Sequence, residues 1–358
     1  KLFKMKKKIL ISTGGSGGHV IPATIFFEHL SNEFQISIST DKRGYKFLNN
    51  KIYDLEIIDT PKLNNIFLIP INLFLILYLT IKSYFYLKGK KIDKIISTGG
   101  YMSLPLILAA KLLRLDIYLF EPNFVIGRAN KFFLNSCKKI FCYSKKIINF
   151  PIKLKHKIIV INPLVRKDFY NLNSSSIKKD ISKILIVGGS QGARIFDKDI
   201  KNSILNISKK YQIKVIHQTS EKNVTNLKNF YSSNNVENHI FSFDKNFIKI
   251  IQEADFCITR AGASTLAELS ILNIPFLAIP LETSRDNHQF ENASFYKDNN
   301  CCWILNQKLI YKEIEIVLEK IFEDKVDYLQ KKDNLKKLNY QNTWINVNQK
   351  ILRVINEN

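Results

Sequence analysis

Three times along the chain a short β-branched run stops at a glycine turn and hands over to a helical pattern. "KKKILIST" (6–13) precedes "GGSGGH", "DKIIST" (93–98) precedes "GGYMSLP", and "SKILIVGG" (182–189) precedes "SQGAR". A strand that repeatedly gives way to a helix through bare backbone leaves one economical solution, parallel βαβ units with helices on both faces of a sheet. Further strands are expected at 35–40, 116–122, 157–162, 214–220, 239–243, 255–259 and 275–280. With 358 residues the chain exceeds one ordinary core and suggests about two domains of roughly 150–200 residues each. The polar, turn-rich stretch 162–183 reads as a linker, so the expectation is an α/β protein of two Rossmann-like halves joined near residue 165.

The formal net charge of +23 points to anionic partners: nucleic acid, an acidic membrane surface or phosphorylated substrates. Abundant Lys, Ile and Asn also fit an AT-rich coding sequence, so charge alone chooses none of these. No aromatic-basic signature or recognition helix accompanies it, which argues against nucleic acid. Five cysteines (Cys137, Cys142, Cys257, Cys301, Cys302) without a CxxC pair argue against a disulfide framework or a zinc site. The start "KLFKMKKKILIST" mimics a signal peptide, but its apolar part is short and runs into the glycine loop, so a first strand is expected. The most apolar segment, Ile66 to Leu87, is broken by Pro70, Asn72, Thr80, Lys82 and Ser83. It reads as a helix partly buried and partly available to lipid rather than a clean span. Leu75, Leu79 and Phe85 are its candidate membrane patch, flanked by Lys62, Lys82, Lys88, Lys90 and Lys91, which suit an anionic leaflet.

The first loop, Gly14, Gly15, Ser16, Gly17 and Gly18, suits a turn whose amides converge on an anion at a helix start. The spacing is not GxGxxG, and no acid stands well placed at the end of the second strand to hold an adenosine ribose, Asp41 being the nearest; both disfavour a nicotinamide dehydrogenase. His19 follows at the beginning of the helix, where the dipole favours neutral imidazole and a general base, and Pro22 is taken to mark the first turn. In the second half, Ser190 and its neighbouring amides are candidates for a diphosphate, with Arg194 beside them or outside. Thr265 and Glu268 match the capping box S/T-x-x-E, and a carboxylate there also suits ribose hydroxyls, while Gln289 suits sugar hydroxyls.

Taken in order, "TGGSGGHVIPA", "STGGYMSLP", "FEPNFVIGRANKFF", "GGSQGAR", "RAGASTLAELSILNIPFLAIPL" and "DNHQFENA" cover residues 7 to 295, and the set resembles the MurG family of peptidoglycan glycosyltransferases, glycosyltransferase family 28. The resemblance implies a GT-B fold: an N-terminal Rossmann-like domain (1–164) for the acceptor and the membrane, and a C-terminal one (165–340) for UDP-GlcNAc. Their parallel sheets would face a central cleft, and a last helix (341–358) would pack back on the first domain. It implies an inverting transfer of N-acetylglucosamine from UDP-GlcNAc to the lipid-linked muramyl-pentapeptide, lipid I, at the cytoplasmic face of the bacterial inner membrane. Other cell-wall synthesis proteins are implied as further partners.

Residue by residue, the resemblance makes His19 the catalytic base. It gives the acceptor diphosphate Gly14 to Gly18, with Ser16, Gly17 and Gly18 also facing the donor. Asn123, Arg166, Ser190, Asp244, Ala263, Ser264, Thr265, Leu266, Ala267, Glu268 and Gln289 complete the donor set. No metal or other cofactor is implied, and no DxD-like acidic pair stands ready to hold one. Two departures are visible: "FEPN" (120–123) replaces His-Glu-Gln-Asn, and "NPLVR" replaces a tighter "NPVR" before Arg166. A UDP-GlcNAc 2-epimerase, or another UDP-sugar transferase of the same fold, shares parts of the motif set.

Overall fold

The computed structural model describes residues 6–61, 66–172, 180–189, 193–242, 244 and 247–357. The chain divides into two compact units: the first runs to Lys167 and takes in the C-terminal segment from Trp344, and the second spans Asp168–Thr343.

In the first unit seven parallel strands are β1 (Lys8–Ser12), β2 (Gln35–Thr40), β3 (Leu55–Ile57), β4 (Lys94–Ser97), β5 (Asp116–Glu121), β6 (Lys139–Cys142) and β7 (Ile158–Val160). Their spatial order is β3-β2-β1-β4-β5-β6-β7. Helices α1 (Gly17–Leu30), α2 (Lys42–Tyr45), α3 (Ile69–Lys90), α4 (Leu104–Leu112) and α5 (Arg128–Phe133) connect them, and α6 (Lys167–Tyr170) carries the chain into the second unit. The inner strands are Ile- and Leu-rich because both faces of a parallel sheet are covered: Ile9, Leu10 and Ile11 are all buried.

The second unit holds β8 (Lys183–Val187), β9 (Lys214–Gln218), β10 (Asn238–Phe241), β11 (Phe256–Thr259), β12 (Phe276–Ala278) and β13 (Cys302–Ile304), ordered β10-β9-β8-β11-β12-β13 and again parallel. Its helices are α7 (Lys201–Lys210), α8 (Val224–Ser233), α9 (Phe247–Glu253), α10 (Ala263–Ile271), α11 (His288–Asp298), α12 (Ile310–Glu323) and α13 (Lys325–Leu338). Helix α14 (Trp344–Asn356) closes the chain. It buries Val347, Ile351, Val354 and Ile355, a single stripe at helical spacing, against the first unit's core. Each such side chain contributes about 1.5–3 kcal/mol of burial.

Strand order reverses between β1 and β4 in the first unit and between β8 and β11 in the second. In a doubly wound sheet the crevice beyond the carboxyl ends of the strands at that reversal is where ligands bind. β1 and β4 pair from Ile9↔Lys94 to Ser12↔Ser97, and β8 and β11 pair from Ile184↔Phe256 to Val187↔Thr259. Register therefore sets the first glycine turn beside the second in one unit, and Gly188 beside Arg260 in the other.

Several expectations shift in detail. The apolar segment begins with a 3-10 turn over Ile66–Leu68 and runs as α3 to Lys90, long and apolar enough to cross a bilayer by length and composition alone. Its buried stripe is Asn72, Ile76, Thr80, Ser83 and Leu87, largely small or polar, while Phe67, Phe74, Leu77 and Phe85 face outward. Of the candidate patch, Leu75 and Phe85 are exposed, whereas Leu79 is half-buried against the core. Strands β3, β6 and β13 lie outside the expected set.

Candidate functional site

Helix α1 starts at Gly17 behind an extended Ser16. Pro22 therefore lies inside the helix, a turn later than its expected place at the start. The helix begins early because the glycines let the chain turn immediately after β1. Gly15 sits at φ +83°, a backbone conformation that favours glycine, and a Cβ there would press on the terminal methyl of Met102 at 2.6 Å. Its N–H donates to Asp41 Oδ1 at 2.8 Å.

Asp41 is thus not placed as a ribose acceptor. Its buried carboxylate also accepts from the Gly44 N–H at 2.8 Å and from Arg43 Nε at 2.9 Å, and Arg43 donates onward to the Tyr101 hydroxyl. Burial works against its charge, yet the Gly15 and Gly44 amides and the Arg43 guanidinium outweigh it and hold the carboxyl below its ordinary range. The carboxylate pins the first turn to α2. Beyond it, the N–H groups of Gly17 and Gly18 take no backbone partner among the described residues. They point along the first turn of α1, where an anion would be held.

His19 stands on that first turn and is half-buried. Its Nδ1 lies 2.8 Å from the Thr98 carbonyl oxygen, at the end of β4. A carbonyl only accepts, so Nδ1 carries the proton and Nε2 of the neutral ring keeps a lone pair. The ring lies over the second glycine turn: Gly99, at φ +92°, would place a Cβ 3.3 Å from His19 Cε1. Thr98 also donates through its hydroxyl to Thr13 Oγ1 at 2.8 Å, tying the two turns together.

At the end of β5, buried Glu121 accepts from the Asn123 amides, from the Gly127 N–H and from Asn130 Nδ2, all within 2.8–3.2 Å. Asn123 is therefore oriented by its own loop. Arg166 stands in the last residues of the first unit, directly before α6.

In the second unit β8 ends at Val187, and Gly189, two residues on, adopts φ +80°. Ser190, Gln191 and Gly192 lie outside the described residues. The chain continues through exposed Arg194 into a π-helical turn over Phe196–Ile200 ahead of α7. Asp197 on that turn accepts from Thr219 Oγ1 at 2.7 Å and faces fully buried His217 at 3.4 Å, fastening the turn to β9. Burial depresses the His217 pKa, and Asp197 opposes that shift.

Helix α10 begins at Ala263 with Gly262 as its N-cap, so Thr265 is an interior residue and the capping-box reading fails. Glycine at the cap lets the helix start three residues sooner. Ala263, Ser264 and Thr265 are half-buried at its amino end, while Leu266, Ala267 and Glu268 are buried. Leu266 and Ala267 belong to the core and offer a ligand only backbone. Asp244 lies in the stretch after β10. Gln289 is the second residue of α11, and its Oε1 accepts the Leu281 N–H at 2.8 Å, which leaves its amide donor for other use. Asp286 and Asn287 just before it are both left-handed, at φ +52° and +55°. Non-glycine residues bear strain there.

Arg260 was not among the expected residues, although it begins the quoted "RAGASTLAELS" stretch. It follows β11 directly, its side chain is buried, and its N–H donates to the Val187 carbonyl at the end of β8. A charged residue directly after an apolar strand was the available signal.

Comparison with known proteins places both units. The profile of the glycosyltransferase family 28 N-terminal domain matches residues 9–142, and that of its C-terminal domain matches residues 183–343. The chain is 51% identical over 356 residues to the UDP-N-acetylglucosamine–N-acetylmuramyl-(pentapeptide) pyrophosphoryl-undecaprenol N-acetylglucosamine transferase of Pelagibacter ubique, covering 99% of this chain and 100% of that one. The protein of the same name from Rickettsia bellii is 34% identical, covering 88% and 90%. Among solved structures, Acinetobacter baumannii MurG superposes with a TM-score of 0.77 at 24% identity, covering 98% and 99%. The UDP-GlcNAc 2-epimerase of Neisseria meningitidis gives 0.66 at 14%, covering 98% and 100%. Both structures share the GT-B fold with this chain.

Proposed function

This chain belongs to glycosyltransferase family 28. From that membership we infer that it transfers N-acetylglucosamine from UDP-GlcNAc to the C4 hydroxyl of undecaprenyl-diphosphoryl-N-acetylmuramoyl-pentapeptide (lipid I), giving lipid II for peptidoglycan. One observation supports the reading above the others: each parallel sheet carries a glycine turn at its own point of reversed strand order. That is one anion-binding crevice for each of two diphosphate substrates.

The acceptor oxygen attacks the anomeric carbon of the sugar, a new C–O bond forms, and the bond to the diphosphate breaks on the opposite face. UDP departs with the electron pair. We assign the acceptor proton to Nε2 of His19, the ring nitrogen that the Thr98 contact leaves as an acceptor. Gly14 to Gly18 would hold the acceptor diphosphate through the first turn of α1, with Ser16 to Gly18 also reaching toward the donor. Asn123, Arg166, Ser190, Asp244, Ala263 to Glu268 and Gln289 would hold the donor, with Glu268 on the ribose. Main-chain amides, helix dipoles and basic side chains supply the positive charge in this scheme, which has no step for a metal.

The outward face of α3 supports docking on the anionic cytoplasmic leaflet of the inner membrane. Phe74 is 71% and Phe85 67% exposed, beside exposed Lys82, Lys88, Lys90 and Lys91. Lys62, also expected to flank it, lies outside the described residues. Because Leu79 packs on the core, the informative variant is Phe74, Leu77 and Phe85→Ser. Sedimentation with anionic vesicles should fall about 10-fold, and unchanged sedimentation would count against the docking.

The assignment is tested by following labelled N-acetylglucosamine from UDP-GlcNAc to a lipid I analogue, with the parent, His19→Ala and Glu268→Ala. Transfer by the parent alone is expected. Epimerised sugar nucleotide formed without acceptor would favour the 2-epimerase reading instead.

A further inference from the structure

A buried cation needs a counter-charge, and in the second unit one lacks it. Arg260 is 8% exposed. Its Nη1 donates to the Ile279 carbonyl at 2.9 Å, and its guanidinium lies over the Phe196 ring, 5.0 Å from the centroid. Among the described residues it forms no ion pair with a carboxylate, and burial alone draws its pKa down to about 10. None of its nitrogens is sealed from solvent without a partner, so the N–H groups left over still open outward.

Isolated buried charges are costly and persist where something compensates them. The place is informative. Arg260 sits at the reversal between β8 and β11, its N–H bonded to the Val187 carbonyl at 3.3 Å, and α10 begins three residues later behind Gly262. The positive end of that nine-residue helix and the guanidinium fork favour the same kind of ligand, an oxyanion accepting two parallel hydrogen bonds. Phe196 covers one face of the guanidinium and starts the π-helical turn that Asp197, Thr219 and His217 fasten to β9, so the side chain is held before any ligand arrives.

We propose that Arg260 supplies the cation that meets the diphosphate of the nucleotide-sugar donor and of the departing nucleoside diphosphate. The proposal rests on the transferase reading and adds to its donor set a residue whose charge the ligand completes. A merely structural arginine, holding Phe196 and Ile279 in place, would affect all nucleosides alike; a counter-charge discriminates by phosphate.

The test is calorimetric titration of the intact chain with UDP and with uridine. In Arg260→Gln the dissociation constant for UDP should rise about 10- to 100-fold, while that for uridine stays within about 2-fold. Equal weakening of both ligands, or no weakening of UDP, overturns the proposal. Arg260→Lys keeps a cation in the same space and carries the test if the glutamine variant does not fold. Lysine lacks the planar fork, so UDP should weaken about 3- to 10-fold with uridine unchanged, and full UDP affinity in that variant is equally fatal. A parent that binds uridine and UDP equally would overturn the donor reading together with the inference. A parent that prefers UDP while both variants keep its preference would overturn the inference alone.

Discussion

The two units share a topology and treat charge in opposite ways. At the first reversal the buried ionic group is a carboxylate, Asp41, answered from within by two amides and Arg43. At the second it is a guanidinium, Arg260, with no carboxylate answering it among the described residues. A group balanced internally can hold a turn in shape before a ligand arrives. One left unbalanced makes occupancy part of its own stability. The first unit therefore presents a preset turn beside an imidazole whose Nδ1 is fixed on Thr98, and the second presents a buried cation that, in the role proposed for Arg260, a nucleotide diphosphate would balance.

The widest separation between the units should appear with His19→Ala. If the base works from the first unit, kcat falls about 10²- to 10⁴-fold while UDP affinity is unchanged. A matching loss of UDP affinity would erase the division of labour. Asp41→Asn sharpens the same contrast from the structural side. Weakening a charged, buried hydrogen-bond set should cost the first unit about 3 kcal/mol in chemical denaturation and leave uridine and UDP affinities alone. The pH sign follows from its lowered pKa. Asp41 contributes its stability above the ordinary value of 3.8 and loses it as pH falls through its lower folded-state value, so parent and variant should converge in strong acid. Curves that stay parallel down to that range would show that the carboxylate does not hold the turn.

Much of this was legible in the chain. Glycine turns after β-branched runs announced parallel sheets, because few other arrangements let apolar strands alternate with helices. Strands β2, β5, β9, β10, β11 and β12 fell where apolar periodicity put them. β12 is as short as β3 and β13 but sits in the longer apolar run "PFLAIP"; β3 was missed because "LEI" lies in a short run between Asp54 and Asp59, β13 because "CWI" follows two asparagines and Cys301, and β6 because "KIFC" sits beside lysines and cysteines that blur it. Locally plausible chemistry also misled. Pro22 and Thr265 look like helix starts, but glycines ahead of each allow earlier ones. Asp41 is only the acid nearest to a ribose position that none fills well, and spacing says nothing about which amides a carboxylate meets. Arg260 was invisible as an unbalanced charge, since an absent partner can be recognised only after folding.

The smallest expected effect asks whether charge balance in the first unit extends to the attachment of α14. His29 on α1 is buried, stacks on Trp344 with ring centroids 3.7 Å apart, and approaches Asn348 Oδ1 with Nδ1 at 3.1 Å. Among the described residues its Nε2 has no partner, so a proton there would be enclosed without an acceptor. Burial lowers the His29 pKa to about 4; the Asn348 contact opposes this, and nearby Lys167 reinforces it. The folded value lies below the ordinary 6.5, so folding disfavours the charged ring: stability is full above pH 6.5 and declines as pH falls toward 4. That window should cost about 2 kcal/mol at pH 5 relative to pH 7. Buried His217 carries the same sign in the second unit, so global unfolding would mix the two. A Trp303→Phe background leaves Trp344 as the reporter of α14. In it, urea unfolding followed by fluorescence should shift to lower denaturant at pH 5, and adding His29→Phe, which keeps an aromatic ring against Trp344, should remove most of that shift. An equal shift in both proteins would place the acid-sensitive group elsewhere. The first unit would then hold its C-terminal helix through the apolar stripe of Val347, Ile351, Val354 and Ile355 alone.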